Sequence, residues 1–441
     1  MITAIRNGML MDPVSGRSGP GELLLQDDRI ADVRWRDNRE SPEKQEDAQG
    51  DLRNALWERT PDRVLDAGGC IVAPGLVDVH VHFRDPGYLQ KEDLDTGCAA
   101  AARGGVTTVV CMANTKPVVD QPGILEEILN RAQHSDIRVR QASAVTVALK
   151  GQCLVDMEAM ANSGAACFTD DGIPITDEKL LLEAMQRAKA LKLPVSLHEE
   201  HPLLMKEAGV HPGEAAALLG YGGAAPEAEE ILVARDAVLA LYTGACINIQ
   251  HISSGRSVEI VRQAKKWGAD IHAEATPHHF TLTQEAVLRW GTNARMNPPL
   301  RTEMDRQEII RGLADGTIDM IVTDHAPHTR EEKAKPLHLA PSGIIGLETS
   351  LGLGIRSLVQ PGHLTMMELL TRMSAAPAAV YEMPQEGFSP GADADLVIFS
   401  EREEWTVDHF ASKSANSPFL GWKLPGKIHY TICRGRCVYE G

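Results

Sequence analysis

His80 and His82 are separated by a single residue and lie at the end of the run 71–81. Val, Ile and Leu dominate that run, which is typical of a buried strand. Side chains two apart in a strand project to the same side, so both imidazoles would leave one face and could chelate a divalent metal. Arg84, two residues further on, could bind a carboxylate or phosphate at the same point. The alternative is a pair of histidines with satisfied hydrogen bonds at a strand end.

The middle of the chain alternates strand patterns with amphipathic helix patterns. The predicted strands are 76–82, 106–112, 139–146, 165–171, 194–199, 246–252, 270–276 and 320–325. The clearest helix patterns cover 177–191, 227–242, 256–267 and 303–315. Eight strands with helices between them predict an α/β fold, a (β/α)8 TIM barrel.

Polar residues end several of these strands, where chemistry sits in such a barrel. They are His80 and His82 on the first strand, Asp170 and Asp171 on the fourth, His198 and Glu199 on the fifth, His251 on the sixth, and Asp324 and His325 on the eighth. Buried together without a cation, these imidazoles and carboxylates would be costly. Four of these histidines with two of these carboxylates already exceed what one tetrahedral zinc needs and suit two metals. Zinc fits imidazole-rich ligation, with manganese or cobalt as alternatives.

Both chain ends read as short strands, and each is too short to bury a core alone. The predicted division is residues 1–73 and 387–441 in one small β-sandwich domain and residues 74–386 in the barrel. Within the first part, residues 35–62 are polar, lack apolar periodicity and predict a solvated insertion.

Composition narrows the class of protein. The chain has 441 residues and a net charge of −17, which argues against nucleic acid and anionic membranes as partners. No apolar run has the length of a membrane span, and the first residues lack a signal-peptide pattern. The eight cysteines form no CxxC pair. We therefore expect a reduced, cytoplasmic protein without a disulfide framework.

Six motifs resemble the amidohydrolase superfamily and, more narrowly, the dihydroorotase family in its bacterial class I (Bacillus- and Aquifex-like). They are PGLVDVHVHFRDPG at 74–87, MANT at 112–115, FTDDG at 168–172, MNPPLR at 296–301, TDHAPH at 323–328 and PGADADL at 390–396. The resemblance covers nearly the whole chain. It implies a barrel of the amidohydrolase type, two Zn²⁺ per chain, and reversible hydrolysis of dihydroorotate to N-carbamoyl-aspartate in pyrimidine biosynthesis.

The resemblance also implies roles for individual residues. The implied metal ligands are His80, His82, Asp171, His198, His251 and Asp324. Asp171 would bridge the metals, with Asp170 the weaker candidate, and Asp324 would also be the general base. The implied substrate-binding residues are His82, Arg84, Asn114, Asn297, His328, Ser342 and Gly343. Ser342 departs from the family, which usually has a bulkier residue there, and the insertion at 35–62 is longer than the family's.

Several polar residues nearby are given structural roles. We expect His278 and His279 to be structural, and Glu199, Glu200 and His201 to lie outside the ligand set. The charged stretch 328–335 is either a solvated loop or a mobile lid.

Two rival functions remain. Hydantoinase, dihydropyrimidinase or allantoinase would share the barrel and the metals; Arg84, Asn114 and His328, with Asp171 in place of a bridging lysine, favour a substrate carboxylate. A non-catalytic subunit of a carbamoyltransferase complex would be expected to lose metal ligands, and this chain keeps all six. A homodimer is expected, and an aspartate carbamoyltransferase partner is left open.

Overall fold

The computed structural model describes residues 1–36, 56–384 and 386–441. Its strands are β1 (Ile2–Asp12), β2 (Arg17–Gln26), β3 (Arg29–Trp35), β4 (Arg63–Asp66), β5 (Ile71–Pro74), β6 (Leu76–Val81), β7 (Val106–Cys111), β8 (Arg138–Gln141), β9 (Val195–Leu197), β10 (Ile247–Ile249), β11 (Ile271–Ala275), β12 (Met320–Ile321), β13 (Leu396–Ser400), β14 (Trp405–Thr406), β15 (Lys423–Leu424), β16 (Lys427–Cys433) and β17 (Arg436–Glu440).

The α-helices are α1 (Leu94–Arg103), α2 (Pro122–Ala132), α3 (Met157–Asn162), α4 (Glu178–Leu191), α5 (Glu214–Leu218), α6 (Glu227–Thr243), α7 (Gly255–Lys266), α8 (Pro277–Thr281), α9 (Ala286–Trp290), α10 (Glu303–Asp315), α11 (Arg330–Lys333), α12 (Ser350–Gly354), α13 (Met366–Met373) and α14 (Ala375–Val380). A π-helical turn, Ile355–Val359, follows α12. The four long helices that periodicity predicts are α4, α6, α7 and α10, with ends within one residue or so of the expected ones.

The middle of the chain closes into a ring of parallel strands. Strands β6–β7–β8 form one arc and β9–β10–β11–β12 the other. Bridges from Phe168 to Ser143 and to Val195 join the arcs on one side, and a bridge from Val81 to His325 joins them on the other. Three strands, four strands and the Phe168 segment make eight members, so the predicted barrel is confirmed.

The fourth member is the least regular. In place of the expected strand over 165–171, the segment has bridges to both neighbours at Phe168, and backbone hydrogen bonds join Ala166, Cys167 and Thr169 to residues 141 and 143. This pairing stops at Asp170, whose carboxylate accepts hydrogen bonds from the backbone N–H groups of residues 145 and 146. A side chain that satisfies neighbouring backbone donors competes with a ladder at this point.

Two apolar layers hold the ring. The larger core packs the outer faces of the strands against the helices, as amphipathic periodicity requires. A second cluster fills the barrel itself and includes Val79, Val110, Met112, Val322 and Tyr381. Tyr381, directly after α14, bonds through its hydroxyl to Ser196 Oγ at 2.8 Å. The barrel is therefore a packed core with a floor near α14, and its polar opening is at the other end.

Both chain ends meet in one sheet, with the order β17–β16–β13–β5–β1–β2–β3 and β4 paired to β1. A bridge joins Arg29, at the start of β3, to Asp393, just before β13, although β3 and β13 lie four places apart in that order, so the sheet folds over on itself as a sandwich does. The predicted joining of the two ends is thus observed. The boundaries 1–73, 74–386 and 387–441 stay predictions, and most of the polar stretch 35–62 lies outside the described residues.

Among the helices that the structure describes, none has both the length and the apolar character needed to cross a bilayer. Each of the eight cysteines carries a free thiol.

Replacing Phe168 by Ala should lower the free energy of unfolding by about 3–5 kcal/mol, because a fully buried aromatic ring is lost where the two arcs meet. Met304→Ala is the matched control: that side chain is 81% exposed, and its loss should change stability by less than about 0.5 kcal/mol. Urea denaturation of the metal-loaded protein measures both. Equal midpoints for the two variants would contradict the central position of Phe168.

Candidate metal centre and active site

The carboxyl ends of the barrel strands surround a cavity of about 320 Å³. Its lining is His82, Arg84, Asn114, Asp171, Gly172, His198, His251, Arg295, Asn297, Asp324, Ala326, Ala340, Pro341, Ser342 and Gly343. Five of the six predicted metal ligands therefore face one cavity. The sixth, His80, is fully buried against them, with Nε2 3.3 Å from Asp171 Oδ1.

The first group of donors consists of His80, His82 and Asp324, which lie close enough together to hold one ion. His80 Nδ1 is 2.5 Å from Glu274 Oε1, and its Nε2 is buried without a hydrogen-bond partner among the described residues. His82 Nδ1 is 2.9 Å from the side-chain oxygen Oδ1 of Asn114, while its Nε2 lies 3.0 Å from Asp324 Oδ1. In both rings an outer acceptor engages Nδ1, so Nε2 is the nitrogen left for a metal.

The second group consists of His198 and His251. His198 Nδ1 and His251 Nε2 are 2.9 Å apart. Both nitrogens face Asp171 Oδ1, at 3.7 Å and 3.8 Å. Two ring nitrogens converging on one carboxylate oxygen make a pocket that suits a cation.

Asp171 lies between the two groups. Its Oδ1 faces His80, His198 and His251, whereas its Oδ2 is 3.4 Å from His82 Nε2. The Asn114 side-chain amide donates to Oδ2 at 3.0 Å and fixes this orientation. Asp170, the weaker candidate for the bridge, points away to the backbone of residues 145 and 146.

Three residues of the centre have left-handed backbone conformations. The φ angles are 60° at Arg84, 33° at His251 and 46° at Asp324. Non-glycine residues adopt this region at a cost of about 1–3 kcal/mol each and cluster where function requires a fixed side-chain direction. The strain here lies immediately after strands β6, β10 and β12, where the chain turns into the cavity.

The charges of the centre are strongly coupled. Burial opposes ionisation of Asp171, but His80, His198 and His251 outweigh burial and hold the pKa of that carboxyl well below its usual range. His82 and His80 likewise outweigh the burial of Asp324 and keep its pKa low. Burial disfavours the imidazolium of His198, yet Asp171 and Glu200 raise its pKa to about 10.

These contacts test whether metal ions fit. Nearby carboxylates outweigh burial and raise the pKa of His80 and of His198, so this cavity favours positive charge. His80 Nε2 and His251 Nδ1 are buried without hydrogen-bond partners in the described part of the chain. Divalent metals accept this set of nitrogen and oxygen donors and supply the missing charge. The residues present therefore fit a metal centre.

Glu274 is an important residue that the sequence reasoning missed. Its Oε1 faces His80 Nδ1 and accepts a hydrogen bond from the backbone N–H of His251, while its Oε2 accepts from Asn248 Nδ2 at 2.9 Å. It thus contacts one ligand from each group. The signal was available: polar residues recur at every second position through Asp270, His272 and Glu274, at the start of β11 and along it, which indicates that one face of the strand is polar.

The predicted substrate-binding residues divide into two sets. Arg84, Asn297, Ser342 and Gly343 line the cavity, and Asn297 Oδ1 is buried without a partner in the described structure. His328 does not line the cavity; its Nε2 is 2.8 Å from the Ser342 carbonyl oxygen. It therefore supports the segment that does.

Arg295 also lines the cavity and was not predicted. Two of its guanidinium nitrogens donate to the carbonyl groups of Ala208, Leu337 and Ala340, and its Nε is buried without a partner among the described residues. Lys333 Nζ pins the same wall, donating to the carbonyl oxygens of Pro341 and Gly343 at 2.9 Å and 3.0 Å. Because α11 carries Lys333, part of the charged stretch 328–335 is folded against the cavity wall; its motion as a lid stays a prediction.

The remaining polar residues near the centre differ in their contacts. His279 bonds to Thr276 Oγ1 and to the Pro298 carbonyl oxygen, which suits the predicted structural role. His278 is buried, its Nε2 has no hydrogen-bond partner among the described residues, and burial lowers its pKa to about 4. Of the other expected bystanders, Glu200 Oε2 lies 3.3 Å from His198 Nε2, Glu199 is buried beside Arg235, and His201 Nδ1 accepts from the Leu203 backbone.

The sequence and the fold are similar to those of known proteins. Residues 69–257 match the family model described as "Dihydro-orotase-like". Among solved structures, the fold is similar to the L-hydantoinase (dihydropyrimidinase) of Arthrobacter aurescens, with a TM-score of 0.83 and 24% identity over 99% of this chain and 96% of that one. It is also similar to the dihydropyrimidinase of Brevibacillus agri, with a TM-score of 0.83 and 20% identity over 100% and 95%. At such identities the likeness concerns the fold, and it confirms the predicted barrel with a small β domain.

Curated relatives are much closer in sequence. The dihydroorotase of Clostridioides difficile is 51% identical over 436 residues, which is 99% of each chain. That of Clostridium acetobutylicum is 46% identical over 438 residues, again 99% of each chain, and that of Lactococcus lactis is 45% identical over 441 residues, the full length of both. Identity of this extent confirms the resemblance carried by the six motifs: the chain belongs to the dihydroorotase family.

Proposed function

We propose that the chain catalyses the reversible hydrolysis of (S)-dihydroorotate to N-carbamoyl-L-aspartate, a step of pyrimidine biosynthesis. The observation that carries the proposal is one cavity that holds both a histidine–carboxylate centre and the guanidinium of Arg84. The first set can serve the opening of a cyclic amide, and the second can bind the substrate's carboxylate. Relatives that match over the full length bear the name dihydroorotase.

We assign two Zn²⁺ to the centre. His80, His82 and Asp324 would hold one ion, His198 and His251 the other, and Asp171 would contact both, since its two oxygens face different histidines. When bound, such ions would lower the pKa of a water molecule and polarise a carbonyl group.

Side chains of the protein transfer the proton and bind the substrate. Asp324, ionised because its pKa is low, can accept the proton of the attacking water at Oδ1 and return it to the ring nitrogen that leaves. Ring closure uses the same carboxyl in the opposite order. Arg84 donates through Nε to the Pro327 carbonyl oxygen at 3.4 Å, which orients its terminal nitrogens for a carboxylate. Asn297 Oδ1, buried and unpartnered in the described structure, is an acceptor for a ring N–H.

The rival cyclic amidases share only the fold at low identity. Two features of the cavity favour dihydroorotate over an uncharged ring. Arg84 offers a charge that such a ring cannot use, and no lysine is among the described residues that line the cavity, so Asp171 would be the residue that contacts both ions. A non-catalytic role does not suit a centre whose six ligands are all brought together.

A cytoplasmic location, a homodimeric state and an aspartate carbamoyltransferase partner complete the proposal as predictions from the sequence. Size-exclusion chromatography with light scattering, with and without the carbamoyltransferase, is the direct measurement of the last two.

The decisive assay follows loss of dihydroorotate by the metal-loaded protein, with hydantoin, dihydrouracil and allantoin in parallel. Turnover should be confined to dihydroorotate, and Asp324→Asn should lower kcat by about 10²–10⁴-fold because the proton acceptor is lost. Asp408→Asn, an exposed site, is the control and should keep full activity. Turnover of an uncharged ring in place of dihydroorotate would overturn the substrate assignment.

Glu274→Gln should weaken metal binding roughly 10–100-fold, because His80 loses the carboxylate that orients its ring. Competition with a chromophoric chelator measures the affinity, and Glu259→Gln on the exposed side of α7 serves as control. An unchanged metal affinity would mean that Glu274 contributes only to packing inside the barrel.

Metal affinity of the metal-free protein should rise with pH from about 6 to about 8. Asp171 and Glu200 raise the pKa of His198 to about 10, so its ring is protonated at neutral pH and a metal must displace that proton. Each displaced proton lowers log Kd by about one unit per pH unit. His198→Gln should flatten the dependence relative to His363→Gln, an exposed control; identical slopes would contradict this account.

A further inference from the structure

A second cluster of metal-binding side chains lies at the opposite end of the barrel from the centre described above. Cys246 directly precedes β10 and Asp270 directly precedes β11, and the register Ile247↔Ile271 makes them neighbours across the two strands. His272 is two residues beyond Asp270 and projects to the same side. Because both parallel strands begin here, the three side chains meet at the amino-terminal face of the ring.

The three donor atoms are close together. One ligand atom each of Cys246, Asp270 and His272 lies within 4.8 Å of the others. His272 Nε2 is 3.2 Å from Asp270 Oδ1. The Asp270 side chain is 53% exposed and the His272 side chain 25%, so an ion can enter from solvent.

A carboxylate stands behind the imidazole. Asp319 Oδ1 lies 3.2 Å from His272 Nδ1, on the side of the ring away from Asp270. Lys265 Nζ binds both oxygens of Asp319 at 2.7 Å and 2.8 Å, and the backbone N–H of Ala273 donates to Oδ2. Asp319 is therefore held in place, and its carboxylate lies beside the Nδ1 edge of the His272 ring, close enough to favour a positive charge there.

We propose that Cys246, Asp270 and His272 form a second metal site, which binds one Zn²⁺ or a similar thiophilic divalent cation. Sulfur, imidazole nitrogen and carboxylate oxygen together select zinc, cobalt or cadmium over magnesium or calcium. Three protein ligands leave the fourth tetrahedral position to water, which the exposure of Asp270 permits.

The local field supports a cation at this place. Burial disfavours the charged ring of His272, but Asp319 and Cys246 outweigh it and raise the pKa of His272 to about 10. The surroundings thus favour a positive charge between these groups, and a divalent ion can supply it in place of the proton. The competing arrangement is an imidazolium held between Asp270 and Asp319 with no metal.

Sulfur-to-metal charge transfer separates the two arrangements. Co²⁺ is added to the full-length protein after its first centre is loaded, and near-ultraviolet absorbance is followed. No cysteine is among the described residues that line the first centre's cavity, so a thiolate band reports a different site. We expect a saturable band at one equivalent in the unaltered protein and in Cys153→Ser, which changes an exposed cysteine.

Cys246→Ser should abolish the band, and Asp270→Asn, at an exposed position that tolerates change, should weaken Co²⁺ binding roughly tenfold or more. Dihydroorotate turnover should be unchanged in Cys246→Ser, because the cluster lies at the other end of the barrel. Absence of the band in the unaltered protein, or its persistence in Cys246→Ser, would overturn the proposal. The readout is optical and does not depend on activity, so failure of the proposed function would be seen separately.

Discussion

The structure depends on one electrostatic constraint: a buried carboxylate, Asp171, stands among four imidazoles at the mouth of an apolar barrel. Separated from water, such groups are costly unless each charge is compensated nearby. The barrel meets this requirement with an outer layer of acceptors and donors, in which Glu274 and Asn114 fix the histidine rings. The ring nitrogens and carboxylate oxygens that remain uncompensated point toward the positions where metal ions fit.

The closure of the ring serves the same purpose. Asp78, buried on β6, accepts hydrogen bonds from the backbone N–H groups of His80 and Thr323. One carboxylate therefore ties the first strand to the last at the level of the ligands. The backbone N–H of His82 also donates to the His325 carbonyl oxygen at 2.9 Å. Residues almost the full length of the barrel apart in sequence are thereby held in register, and the strain at Asp324 is carried by this seam.

Much of this could be predicted from local sequence, and the remainder follows from contacts that local sequence does not encode. The pair His80 and His82, the long helices and the strand positions come from periodicity and spacing, which are properties of neighbouring residues. The point at which the pairing of the fourth strand stops could not be predicted in this way, because it depends on Asp170 bonding to backbone groups 24 and 25 residues away. Arg295 was missed for the same reason: its partners lie on separate segments that only the fold brings together.

A series of hydrogen-bonded side chains runs through the barrel and has a consequence for engineering. From His80 it runs through Glu274 to Asn248, and then to the Tyr381 hydroxyl and Ser196 at the floor. The orientation of a catalytic histidine is thus connected, bond by bond, to a helix terminus on the far side of the protein. A library that varies Tyr381 and its neighbours in α14 would reach the reactivity of the centre from below, leaving every residue that meets the substrate as it is.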